Sequence, residues 1–174
     1  GGGGSFTHIL WNDSEDIYIV EDSIKPLLGR GANDYFINKR ITPISVNSSD
    51  ILSVSFFSKT KNKNYMLQKK EMKWFLGEKA IEVNTEKISG LLNKLSSLVA
   101  DGVVESKDLP KLSEADSAEL QFSYKDPVTS IPNSITIKIM GKDTSNIYYL
   151  QKQQEPAIYK FQDYQLKTIF ESEF

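Results

Sequence analysis

The sequence predicts an α+β fold: antiparallel sheet meanders covered by one long amphipathic helix, with two short helices beside it. Three patterns carry that expectation. Apolar and polar residues alternate in short runs from Asp50 onward, as half-buried strands do. Residues 84–100 carry apolar side chains at helical spacing. Finally, the tail of the chain repeats its head. Ile17-Tyr18-Ile19-Val20-Glu21-Asp22 near the start is matched by Ile158-Tyr159-Lys160-Phe161-Gln162-Asp163 near the end, with Tyr18 and Tyr159 standing 141 positions apart. Recurrence at a fixed spacing is the mark of a repeating module. The chain therefore reads as a flexible linker over 1–5 and a single α+β domain over 6–174. Within it, 6–40 is the closing hairpin-helix of one unit and 41–174 is one full unit.

Each element has its own local cause. Residues 6–10 and 16–21 flank the polar turn Asn12-Asp13-Ser14-Glu15, a hairpin signal. Asp22-Ser23 can cap a helical turn bearing Ile24, Leu27 and Leu28, which Gly29-Arg30-Gly31 would end. Tyr35, Phe36 and Ile37 anchor a polar connector, and Pro43 marks an irregular or edge segment. Leu52, Val54 and Phe56 then alternate with Ser53, Ser55 and Phe57. Tyr65 to Lys69 and Lys73 to Leu76 complete a three-stranded meander. In 84–100, Ile88, Leu91, Leu92, Leu95, Leu98 and Val99 share one helical face. Asn84 is the expected N-cap, Val83 with Ile88 a hydrophobic staple, and Asp101-Gly102 the expected stop. Val103-Val104 suits a short strand. After a polar stretch broken by Pro110, Leu120, Phe122 and Tyr124 share one strand face, and Ile135, Ile137 and Ile139 another. Gly141-Lys142-Asp143 turns into Ile147 to Gln151, and the last hairpin and helix repeat the opening.

Composition narrows the function classes. The 174 residues are 39% hydrophobic and 25% charged, an ordinary globular balance. The 21 basic and 23 acidic side chains nearly cancel, whereas a phosphate-binding surface needs a cationic excess, so no nucleic-acid partner is expected. With no cysteine, thiolate nucleophiles, disulfides and cysteine-ligated metals are excluded. Gly1-Gly2-Gly3-Gly4-Ser5 has the composition of an engineered linker, and the natural N-terminus is expected to lie elsewhere.

Catalytic kits are weakly represented. His8 is the single histidine, so a multi-histidine metal site is excluded, and its place in a strand favours a structural role. Asn12 to Asp16 is the densest acidic run, but it lacks the central glycine of a calcium loop and reads as a solvated turn. Gly29-Arg30-Gly31 follows a helix instead of joining a strand to one, so it suits a helix cap better than a phosphate cradle. No G-x-S-x-G elbow or P-loop occurs. Catalytic, metal and cofactor residues are therefore all expected to be none. Lys59, Lys61, Lys63, Lys69, Lys70 and Lys73 form the strongest basic cluster, a candidate anionic-surface contact near Tyr65 and Trp74. The plainer reading is a pair of lysine-rich turns that keep sheet edges from sticking. Tyr148, Tyr149, Tyr159 and Tyr164 could form an aromatic face, although alternation sends Tyr148 and Tyr149 to opposite sides of a strand.

The order of elements resembles a bacterial family catalogued as domain of unknown function 4340. The resemblance rests on Ile17-Tyr18-Ile19-Val20, Ile24 to Leu28, Lys39-Arg40-Ile41, Asp50-Ile51, Trp74-Phe75-Leu76, Leu91 to Val99 and Val103-Val104. One step departs from it: where the family often has GL-x-x-P, this chain has Leu112-Ser113-Glu114-Ala115-Asp116. The resemblance implies a non-catalytic interaction or scaffold domain outside the cytoplasm, in the periplasm or cell envelope. It also implies an N-terminal membrane anchor and ABC transporter subunits of the gliding-motility type as partners. It brings no catalytic residues. The alternative is a carboxylate-dependent hydrolase or carbohydrate-binding domain, which would need two acids converging on a cleft.

Overall fold

The structure is a computed structural model that describes residues 7–10, 17–20 and 39–174. The chain divides into two compact units, Gly1–Asn38 and Lys39–Phe174. In the first, β1 (Thr7–Leu10) and β2 (Ile17–Val20) form an antiparallel pair. The linker, the turn over 12–16, the helical turn at 24–28 with its glycine stop, and the anchors at 35–37 lie outside the described residues.

The second unit is built on one nine-stranded sheet. Its strands are β3 (Ile51–Ser58), β4 (Lys63–Lys70), β5 (Lys73–Leu76), β6 (Ile81–Val83), β7 (Gly102–Val104), β8 (Ala118–Lys125), β9 (Pro132–Lys142), β10 (Ile147–Lys152) and β11 (Ile158–Gln162). Their order across the sheet is β6-β5-β4-β3-β8-β9-β10-β11-β7, and every pairing is antiparallel. Both edge strands are only three residues long, which leaves little open backbone for unwanted pairing. Two helices, α1 (Thr85–Ser96) and α2 (Asp163–Glu171), complete it.

Register explains which face is greasy. Leu67 pairs with Val54, Val54 with Phe122 and Phe122 with Ile135, so one row of apolar side chains crosses four strands. The next row runs Tyr65, Phe56, Leu120 and Ile137. All eight side chains are buried. Ile51 is buried but Leu52 is only half-buried, because the pairing with β8 shifts between Ile51 and Ser53 and breaks the simple alternation. Against this face lie Ile88, Leu91, Leu92 and Leu95 of α1 and Leu166, Ile169 and Phe170 of α2, all buried. An aromatic string fastens α2: Phe170 meets Phe56 edge-on at 5.3 Å and stacks on Tyr148 at 5.2 Å, while the Tyr65 hydroxyl donates to the Ile169 carbonyl at 3.0 Å.

The α+β expectation is corrected here. The described residues are mostly β, with two short helices and no long one. The helix expected over 84–100 starts as expected, with the Asn84 side chain accepting from the Glu86 amide at 2.9 Å, but it stops at Ser96. The Ser96 and Ser97 hydroxyls both donate back to the Asn93 carbonyl, occupying the acceptor of the last turn. Leu98 to Ala100 then run alongside 39–41: Ile41 donates to the Leu98 carbonyl and Ala100 to that of Lys39. Leu98 is fully buried, but as part of this extended segment and not as helix.

Candidate functional site

The six lysines singled out by sequence do not share one patch. Lys59 and Lys61 lie in the turn before β4, and Lys63 opens that strand. Lys69 and Lys70 close it, and Lys73 opens β5. Eight extended residues put the two groups roughly 24 Å apart. Several are already engaged. Lys61 pairs with Asp116 at 2.9 Å and lies over the Phe170 ring. Lys69 donates to the Ser49 carbonyl, Lys70 lies over Phe75, and Lys73 pairs with Glu82 at 3.0 Å. A small cavity of about 190 Å³ near Lys61 also holds Lys142 and Lys167, but its cations are matched by Asp116, Asp163 and Glu171.

The larger concavity is elsewhere, on the sheet face opposite the helices. There the same registers that bury the apolar rows present polar ones. Phe57 pairs with Glu119, Glu119 with Lys138, and Lys138 with Gln151; alongside run Met66, Ser55, Gln121 and Thr136. A groove of about 980 Å³ lies over this floor. Its wall is the turn from Lys152 to Pro156. Glu155 fastens that turn. Its carboxylate takes the Lys152 ammonium at 2.6 Å and the Tyr159 hydroxyl at 2.8 Å, while its backbone carbonyl accepts from the Gln151 side-chain Nε2. Gln153 ties the turn to β9 through its amide and the Thr136 carbonyl.

The electrostatics of the wall are those of a fixed ion pair. Burial resists ionisation of Glu155, but the bonds from Lys152 and Tyr159 outweigh it and hold the carboxyl below its usual range. Burial, reinforced by the same carboxylate, pushes the Tyr159 hydroxyl up to about 12. A general acid in glycoside hydrolysis needs the reverse shift, a carboxyl kept protonated near neutrality. Among the described residues, no three of His, Cys, Asp and Glu gather as a metal site. His8 lies on β1 opposite Ile19.

Tyr148, Tyr149 and Tyr159 are all buried, while Tyr164 is exposed, so the four do not form one aromatic face. The residues that do floor the groove escaped the sequence reading. Their signal was present as the outward half of each alternation: Glu119, Gln121, Thr136 and Lys138 stand between the apolar residues of β8 and β9.

Comparison with known families gives one match. The family described as Domain of unknown function (DUF4340) covers residues 1–123. The chain belongs to this family. The DUF4340 description assigns no function. The matched stretch takes in β3 to β7, α1 and most of β8. The groove therefore combines β3 and β8 residues inside the match with β9 and β10 residues beyond it. No curated protein and no solved structure matches the chain. No helix among the described residues is long and apolar enough to cross a membrane.

Proposed function

We propose that this chain is a non-catalytic interaction module, the extracytoplasmic part of a membrane-anchored envelope protein that serves an ABC-type transport complex. The observation that carries the interaction reading is the open sheet face. It is broad and polar, with Phe57 and Met66 exposed at one side; its Glu155 is tied to Lys152, and Glu119 stands beside Lys138 in the register. Such a surface suits contact with another macromolecule better than chemistry on a small one. The envelope location and the partner class come from the family resemblance.

Affinity capture of the membrane-tethered natural protein tests this reading. Transport-complex subunits should copurify, and Gln121→Arg with Thr136→Arg should lower their recovery at least about tenfold by placing bulk and charge on the face. Recovery that is unchanged by these substitutions would remove the face from the interface. A carbohydrate-binding reading has one observation in its favour: Gln121, Gln151 and Glu119 lie in the groove with the Phe57 ring. Calorimetric binding of an oligosaccharide, lost in Phe57→Ala, would support that alternative.

A further inference from the structure

The two ends of the nine-stranded sheet are finished differently. At one end the turns are polar or small: Lys59 to Asn62 joins β3 to β4, Gly77 to Ala80 joins β5 to β6, and Asp143 to Asn146 joins β9 to β10. At the other end two turns carry apolar tips. Met72 caps the β4–β5 turn and is 84% exposed. The β8–β9 loop, residues 126–131, presents Val128 at 83% and Ile131 at 59%, with Pro127 and Pro132 exposed beside them. Exposed apolar side chains scattered singly are ordinary, but these gather at one end of the sheet.

Register puts the two tips level. Ser53 pairs with Gln68 on one side and Ser123 on the other. Two residues further along, Lys70↔Lys73 closes the first turn and Lys125↔Pro132 the second. The strand order β5-β4-β3-β8-β9 sets the tips three strand spacings apart, roughly 14 Å. The polar β10–β11 turn faces the same way but is set back. β10 ends at Lys152↔Ile137, and the five residues from there to Pro132 span roughly 16 Å.

The longer loop is braced. The Asp126 carboxylate accepts the Val128 and Thr129 amides at 2.8 Å each, its carbonyl accepts from the Ser130 amide, and its own amide donates to the Ile131 carbonyl. The tip is therefore held out from the sheet. An exposed lysine precedes each tip, Lys70 before Met72 and Lys125 before Val128. Charge at this end balances: Lys69, Lys70, Lys73 and Lys125 are matched in number by Asp50, Glu71, Glu82 and Asp126.

The geometry points to this end as a membrane-docking edge. Met72, Val128 and Ile131 enter the acyl boundary of a phospholipid bilayer, while Lys70 and Lys125 reach the headgroup phosphates. Protein interfaces are built around one contiguous apolar core. Two separate convex tips, with the polar Asn47 to Asp50 segment at the same end, fit a fluid surface that closes around each. Because the lysines are matched by acids, adhesion comes from apolar insertion and not from net charge. The strands then stand on end, and the groove over the open sheet face stays clear of lipid. This reading goes beyond the proposed function and does not rest on it.

Cosedimentation of the 174-residue chain with vesicles of phosphatidylcholine and phosphatidylglycerol tests it. The chain should partition onto the vesicles and lose less than about threefold between ~0.1 M and ~0.5 M salt, since screening weakens charge contacts alone. Met72→Asp with Val128→Asp should lower partition at least about tenfold at both salts. Both side chains are exposed, so the melting temperature should not move. The chain has no cysteine, so Val128→Cys can carry a single environment-sensitive dye. Its emission should move to the blue on vesicles, and that of Ser145→Cys, at the opposite end, should not. No partition, partition abolished by salt or indifferent to the double substitution, or a blue shift at 145 instead of 128 would each overturn the proposal. None of these outcomes depends on which complex copurifies, so the two proposals fail separately.

Discussion

Hairpin β1–β2 and hairpin β10–β11 carry the same register and loop length, yet only the second is described inside a sheet with strands on both sides. The shared part is local: alternating Ile, Tyr and Val or Phe residues around a polar loop suffice to set the pairing. The unshared part is tertiary. Tyr159 and Phe161 are buried in β11, which lies between β10 and β7 in the nine-stranded sheet, and nothing in their own strand encodes β7. A hairpin can thus be written in a dozen residues, while its stability is written elsewhere in the chain.

A substitution inside the completed sheet should have the largest effect. Phe161 is fully buried, and Phe161→Ala should cost about 3–5 kcal/mol in denaturant unfolding. A loss below about 1 kcal/mol would show that the tertiary setting of β11 contributes little.

The corner that leads β9 into β10 is the next point of leverage. Gly141 has φ +140°, and a Cβ there would run into the Ser113 carbonyl oxygen, while Ser113 donates its amide to the Lys142 carbonyl. Gly141→Ala should cost about 1–3 kcal/mol and be visible as a lowered melting temperature. Tyr65→Phe should cost about 1 kcal/mol, because it removes the hydroxyl that anchors the Ile169 carbonyl and leaves that buried acceptor unpaired.

The smallest effect should be one of pH, at Glu155 of the second hairpin, where the residue 141 positions earlier is Ser14. The Glu155 carboxyl is held below its ordinary value of 4.5, so its contribution is fully present above that value and is lost as pH falls through the depressed folded value. The Lys152–Glu155 pair is partly exposed, which limits the gain to under about 1 kcal/mol. Glu155→Gln should therefore lower stability slightly at pH 7 and match the parent chain in strong acid. A difference that persists unchanged into acid would assign the effect to packing.

Much of the sheet was legible because its strands alternate cleanly. Leu120, Phe122 and Tyr124, and Ile135, Ile137 and Ile139, point where period two sends them, and Asn84 caps where its side chain allows. The fold class was misread for a specific reason. Leu98 and Val99 continue the helical spacing of Leu91 and Leu95, so apolar period alone cannot see that Lys39 to Ile41 claim them as extended partners. β6 was missed because Ile81-Glu82-Val83 is too short to show a period and is defined by its pairing with β5. The groove was hidden for a related reason: Glu119, Lys138 and Gln151 are unremarkable in their own strands and become neighbours only through register.

Nuclear magnetic resonance contacts across the two hairpins test the central claim most directly. In antiparallel pairs the closest Cα protons belong to alternate partners, so each register leaves a distinct set of cross-strand contacts. The equivalence of the hairpins predicts that whichever of Thr7–Val20 or His8–Ile19 is close matches its counterpart, Tyr148–Phe161 or Tyr149–Lys160. Cross-strand contacts at 7–20 displaced by one residue from those at 148–161 would contradict it.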